Sequence, residues 1–243
     1  MPGIIILLMC SLFLFSAIVE AAEIRIASAS NFYPTLNKIK QSYEKNSEDK
    51  IKIIRGSTGK LYAQIMQGAP YDIFLSADSE RADKLVVRGK SYDKKSYVYA
   101  TGQLALWKAD ADSSQQLREQ LYDGRFRKLA VANPKTAPYG RAAIEALQAM
   151  ELYEKVKDRL VYGENISQTL QFVQSGAADL GFVARSYVIH DMYWQIDDYL
   201  HKPLEQKMLI LKQTKQPDSA KKFIEYMQTD EVKKIISTSG YLN

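Results

Sequence analysis

The sequence predicts an α/β protein of two lobes with a ligand cleft between them. Three observations carry that expectation. Strand, polar turn and helix alternate three times in succession after residue 22. The rhythm then breaks at "SYVYATGQLALWK", which reads as two extended pieces joined near Gly102. A second set of strands and helices follows, and a late strand, "EQKMLILK", precedes a helical C-terminal segment. Repeated βα units argue for a parallel sheet covered by helices.

Each element follows from its pattern. "EIRIASAS" alternates Ile24 and Ile26 and ends in small residues, as a half-buried strand does. In "PTLNKIKQSYEKNS", Leu36, Ile39 and Tyr43 recur at helical spacing. "KIKIIRGSTG" is a strand that breaks at Gly56, and "LYAQIMQG" a short helix stopped at Gly68. "YDIFLSAD" is an apolar strand, and "SERADKLVVRG" a helix closed by Gly89. A long connection then leads to the strand "KLAVANP" and the helix "TAPYGRAAIEALQAM", with Pro138 in its first turn. "RLVYGENIS" is a strand and turn, "QTLQFVQSG" a helix, and "ADLGFVARS" a strand. The segment "DSAKKFIEYMQTDEVKKIISTSGYL" reads as helical. The expected division is a signal peptide at 1–21, a first lobe at 22–102 to which 204–243 returns, and a second lobe at 103–203.

The first residues differ from the rest. The run from Ile4 to Val19 carries no charge, is short for a spanning helix, and is followed by Val19-Glu20-Ala21, a small-residue cleavage pattern. The expectation is secretion into the periplasm. Cleavage would remove Cys10, the one cysteine, so the mature chain would hold no disulfide. It would also remove Glu20 and no cation, adding one unit to the formal charge of +5. That mild excess favours the approach of small anions. No dense basic patch points to nucleic acid, and a monomer is expected.

The residues leave little room for catalysis. His190 and His201 belong to no motif with Ser or Asp, and two histidines without cysteine make no zinc site. No G-x-S-x-G nucleophile turn occurs. "RGSTGKLYAQI" has the look of a phosphate loop, but two residues separate Gly56 from Gly59 and Leu61 follows Lys60, so it is not one. What remains is a strand ending in hydroxyl residues at a helix start, where free N–H groups attract an anion. Ser57 and Thr58 in isolation read first as helix caps, and Lys60 as a solvated helix residue. The same turn chemistry recurs, however, at Ser30 and Asn31, at Tyr139 and Gly140, and at Asn165, Ile166 and Ser167. Four turns rich in donors and poor in charge suit a fully ionised oxyanion.

"ASASN", "GSTGKLYAQIMQGAPYDIFLSAD", "KLAVANPKTAPYGRAA", "GENISQTLQFVQSGAADLGFVA" and "YMQTDEVKKIISTSGY" resemble, in order, the periplasmic molybdate-binding proteins of ABC transporters. The resemblance implies a type II periplasmic binding fold that closes over molybdate or tungstate, needs no cofactor, performs no catalysis and delivers the anion to a membrane permease. It implies a ligand set of Ser30 (hydroxyl and N–H), Asn31 (N–H), Thr58 (hydroxyl, with Ser57 beside it as the alternative), and the main-chain N–H groups of Tyr139 and Ile166. Some members carry a ligand tyrosine where this chain has Ala184, a contact that Tyr139 could replace. Ser76 and Asp78 are expected at the cleft edge, outside the ligand set. A binding protein for sulfate or phosphate is the alternative.

Overall fold

The computed structural model describes residues 22–242, so the expected signal peptide at 1–21 lies outside the described residues. The chain runs β1 (Glu23–Ala29), a 3-10 turn (Ser30–Phe32), α1 (Tyr33–Tyr43), β2 (Lys50–Gly56), α2 (Thr58–Met66), β3 (Ile73–Ser76) and α3 (Ser79–Val87). It continues through β4 (Tyr97–Gly102), β5 (Leu104–Trp107), α4 (Ser114–Tyr122), β6 (Leu129–Ala132), α5 (Pro138–Ala149), α6 (Tyr153–Val156), β7 (Leu160–Gly163) and α7 (Ile166–Gln174). Then come β8 (Leu180–Ala184), β9 (Tyr193–Gln195), β10 (Leu204–Ile210), α8 (Pro217–Met227) and α9 (Asp230–Thr238).

Two sheets result, in the orders β2-β1-β3-β10-β4 and β7-β6-β8-β5-β9. β1 pairs in parallel with β2 and β3, and β6 in parallel with β7 and β8, as consecutive βα units require. Neither sheet is wholly parallel. β10 runs antiparallel to β3 and β4, and β5 antiparallel to β8 and β9. The chain crosses between sheets at Gln103, between β4 and β5, and returns before Leu204.

Both faces of each sheet are covered. Ile24, Ile26 and Ile73 pack with Leu36, Phe223 and Ile236 on one face of the first sheet. Ala27, Phe74 and Leu209 pack with Leu61 and Leu85 on the other. Leu106, Val131 and Phe182 meet Ala143 and Leu147 of α5 in the second unit, and Leu170 and Val173 of α7 cover its opposite face. β3, β5, β6 and β8 are buried along their whole length, which fits their unbroken apolar runs.

Gly68 and Gly89 stop α2 and α3 with φ of 87° and 67°, a conformation glycine adopts without a Cβ penalty. Among helices and strands, four features differ from the sequence reading: α4, α6 and β9 are additional, and the C-terminal helical segment is split. The long connection after β5 holds α4, capped by the Ser113 hydroxyl, which accepts from Gln116 N at 3.1 Å. Its apolar signal is the single buried pair Leu117 and Leu121, too short a stripe to stand out among Gln, Arg and Glu. The C-terminal helical segment is two helices, because Thr229 caps a new one by accepting from Val232 N. Among the described residues, no helix is long and apolar enough to cross a membrane.

Candidate functional site

The strand ends of the two sheets face each other, and a small cavity lies where they meet. All six residues expected to contact an anion line it: Ser30, Asn31, Ser57, Thr58, Tyr139 and Ile166. Ala29, Gly56, Ala77, Ala137 and Pro138 complete the wall, and no charged side chain is among these eleven. The free space is small, about 10 Å³, far below the roughly 300–1,000 Å³ of sites for drug-sized ligands. That is about the room of one water molecule, and a nucleotide or sugar does not fit.

Local sequence explains each wall. β1 ends at Ala29, and Ser30 and Asn31 open the 3-10 turn before α1 begins, where a helix start leaves N–H groups without intrahelical partners. β2 ends at Gly56, Ser57 takes the N-cap position, and Thr58 opens α2. Pro138 opens α5 behind Ala137, and Ile166 opens α7 behind Asn165. Helices α2, α5 and α7 thus bring their positive ends to one point. α5 comes especially close to the sheet, since a Cβ on Gly140 would lie 1.9 Å from the carbonyl oxygen of Ala132 at the end of β6.

The two hydroxyls of the second turn behave differently. Thr58 Oγ1 accepts the N–H of Ala77 at 3.2 Å, which leaves its proton free to be donated. Ser57 makes no side-chain cap bond to its helix, and its Oγ is buried without a hydrogen-bond partner among the described residues. A serine kept as a cap would bond the N–H two or three residues on. This one does not. By contrast, Asn165 does cap α7, accepting from Gln168 N at 3.2 Å.

The side chains of Asn31 and Tyr139 turn away from the cavity into a buried polar cluster. Asn31 Nδ2 donates to Gln206 Oε1 at 2.9 Å and to the Tyr241 hydroxyl at 3.2 Å. The Tyr139 hydroxyl accepts from Gln206 Nε2 at 3.2 Å. Ala184, where the resemblance places a tyrosine in some members, is itself buried at the end of β8. The Tyr187 hydroxyl donates to the carbonyl of Ser30 at 2.7 Å, and the Ser186 hydroxyl to that of Asn31 at 3.1 Å. Burial pushes the hydroxyls of Tyr99, Tyr139 and Tyr241 well above the usual tyrosine range, so all remain protonated donors. Sequence reasoning missed Gln206, Tyr187, Ser186, Tyr99 and Tyr241. They come from distant segments, and no local motif marks them.

Polar contacts close the rim. Arg141 on α5 reaches Asp78 Oδ2 and Glu80 Oε2, both at 3.0 Å. Asp78 also caps α3 and pairs with Arg81, whose Nη2 donates to the Lys135 carbonyl at 3.2 Å. Gly59 N donates to the Thr136 carbonyl at 2.8 Å. Lys60 pairs with Glu164 at 2.8 Å while half exposed, so it belongs to the rim and not to the cavity. Ser76 and Asp78 likewise stand outside the cavity wall. Hydrogen bonds from Lys84 first, then from Arg141, hold the Glu80 carboxyl down at about 2 against an ordinary 4.5. A depressed carboxylate stabilises the fold above its unfolded value and loses that contribution as pH falls through its folded value. Glu80 therefore contributes fully above pH 4.5 and not at all once the pH has dropped past about 2. The expected result is that Glu80→Gln lowers the thermal midpoint at neutral pH and narrows its gap to wild type across that window. A gap that stays constant with pH would refute the rim contact.

Two α/β units that bring four donor turns to a small neutral cavity define a binding protein for a small solute. The comparisons agree. The chain matches the family described as bacterial extracellular solute-binding protein over residues 24–242. It is 36% identical to the molybdate-binding protein ModA of Azotobacter vinelandii over 234 residues, covering 94% of this chain and 93% of that one. It is 36% identical to ModA of Rhodobacter capsulatus over 229 residues, covering 91% and 89%. The solved periplasmic molybdate-binding protein of Azotobacter vinelandii superposes with a TM-score of 0.87 at 32% identity, covering 90% of this chain and 99% of that one. The chain belongs to the bacterial extracellular solute-binding proteins and, within them, to the ModA family.

Proposed function

We propose that this protein captures molybdate in the cavity between its two lobes and hands it to the membrane permease of an ABC transporter. The observation that carries this reading is the unpartnered Ser57 hydroxyl in a cavity wall without charged side chains. A buried donor left unpaired costs roughly 1–3 kcal/mol, and of the buried unpaired side-chain atoms among the described residues Ser57 Oγ is the one in the cavity wall, where an anion would satisfy it. Kinship with the ModA proteins names the ligand. Ser30, Ser57 and Thr58 donate hydroxyls, and the main chain of Ser30, Asn31, Tyr139 and Ile166 donates N–H groups. Ser57 and Thr58 thus act together and not as alternatives. The lobes comprise residues 22–102 with 204–243, and 103–203, a division that the sheet membership of β4, β5 and β10 supports.

Selectivity follows from the wall. Tungstate matches molybdate in charge and nearly in size, so the same cage takes both. Sulfate is smaller and cannot reach all donors at good length. Hydrogen phosphate carries a proton, and no carboxylate lines the cavity to accept it. The protein works in the periplasm as a monomer, without catalysis, cofactor or nucleic acid. Isothermal titration with molybdate, tungstate, sulfate and phosphate tests this. The expected result is tight binding of the first two and none of the others. Tight binding of sulfate or phosphate, or of none of the four, would overturn it.

A further inference from the structure

Behind the cavity lies a polar cluster that an anion in the cavity would not touch. Gln206, fully buried on β10, is its centre. Its Oε1 accepts from Asn31 Nδ2 and from the Tyr99 hydroxyl, each at 2.9 Å, while its Nε2 donates to the Tyr139 hydroxyl at 3.2 Å. Asn31 belongs to the turn after β1, and Tyr139 to the first turn of α5. One amide therefore grips, from behind, one donor turn of each lobe. All of its polar atoms are used, so its rotamer is fixed.

Two further features place this amide at the crossings between lobes. The pairing of β10 with β4 shifts register between Gln206 and Lys207, and such an irregularity re-aims a side chain. The Tyr139 hydroxyl fills a notch at Gly102, where a Cβ would lie 2.1 Å from that oxygen and 2.6 Å from Gln206 Nε2. Gly102 ends β4, one residue before the chain crosses to β5, and Leu204 starts β10 just after it returns. Tyr139 thus reaches both ways. Its N–H faces the cavity from a helix start, and its hydroxyl rests against the crossing strands.

We propose that Gln206 is a positioning residue for anion capture, tying the Asn31 and Tyr139 turns to each other and to the interlobe crossings. This rests on the oxyanion reading above. Donor alignment and lobe closure then occur together, because the same amide holds both turns and leans on the strands about which the lobes move. A structural role alone would alter stability and leave the ligand's residence time untouched.

The test compares Gln206→Met, Tyr139→Phe and the double variant with wild type. Thermal midpoints are read without ligand, and stopped-flow dissociation and equilibrium affinity with molybdate and sulfate. Tyr139→Phe deletes only the bond across the lobes and keeps the ring and the N–H. It is expected to fold, with a somewhat lower thermal midpoint because buried Gln206 Nε2 loses its acceptor, and to release molybdate about tenfold faster, a loss typical of one hydrogen bond. Sulfate should remain unbound by the variants as by wild type, so the loss falls on molybdate alone. Gln206→Met should weaken molybdate at least as much, and the double variant no further, since both substitutions break one connection. Wild-type release from Tyr139→Phe, or additive losses in the double variant, would overturn the proposal. Should Gln206→Met not fold, Tyr139→Phe decides alone. Failure of wild type to bind molybdate would overturn the oxyanion reading and this inference with it; normal wild-type binding with unaltered variants overturns the inference alone.

Discussion

Ser57→Ala is expected to weaken molybdate binding roughly 10- to 100-fold without lowering the stability of the ligand-free protein. The two halves of that expectation have separate causes. A hydrogen bond to a charged partner contributes about 1.5–3 kcal/mol, and every 1.4 kcal/mol is about tenfold in affinity. Stability is spared because the hydroxyl has no hydrogen-bond partner among the described residues. Were Ser57 a helix cap, alanine would cost about 1 kcal/mol, but α2 has no side-chain cap. Thr58→Val gives the contrast. Its hydroxyl accepts from Ala77 N at 3.2 Å, so valine orphans a buried N–H as well as removing a donor. That variant should lose both affinity and thermal midpoint. Calorimetry of binding and of unfolding on the two proteins measures both. A ligand-free Ser57→Ala protein that melts well below wild type, with affinity intact, would return Ser57 to the role of an ordinary cap.

Gly140→Ala carries the largest expected structural effect of any single methyl group here. The new Cβ would fall 1.9 Å from the Ala132 carbonyl oxygen and 2.6 Å from its carbon. Both are main chain, at the end of a fully buried strand, so no side chain can swing aside. The start of α5 must lift off β6. Overpacking of this kind costs about 3 kcal/mol or more. For a domain of this size that is a fall of roughly 6–12 °C in thermal midpoint. The same shift displaces the N–H of Tyr139, so molybdate affinity should drop by more than about tenfold. Thermal unfolding and titration check both. A variant with wild-type melting and binding would show that α5 has freedom its packing denies.

The donor turns were legible because each is local. Ser30 and Asn31, Ser57 and Thr58, Tyr139, and Ile166 each sit where an apolar strand breaks into a helix, and the break is written in adjacent residues. The same holds for the stops at Gly68 and Gly89. Elements with faint periodicity were harder. α4 buries only Leu117 and Leu121, and β9 is three half-buried residues at a sheet edge. The division of labour between Ser57 and Thr58 was not legible either. Two adjacent hydroxyls look alike in sequence, and the N–H of Ala77, nineteen residues away, separates them.

By itself the sequence determined an α/β chain with two sets of βα units and an uncharged set of anion-seeking turns. Those are consequences of hydrophobic periodicity and of what a helix start offers, both properties of neighbouring residues. Tertiary structure alone decided what brings the turns together and holds them. Gln206 meets Asn31, 175 positions away, and Tyr139, 67 away, while Arg141 reaches Asp78 across 63. Such partners are chosen by the packing of whole sheets, which places a buried amide or guanidinium beside whatever the fold delivers. No spacing along the chain records that choice.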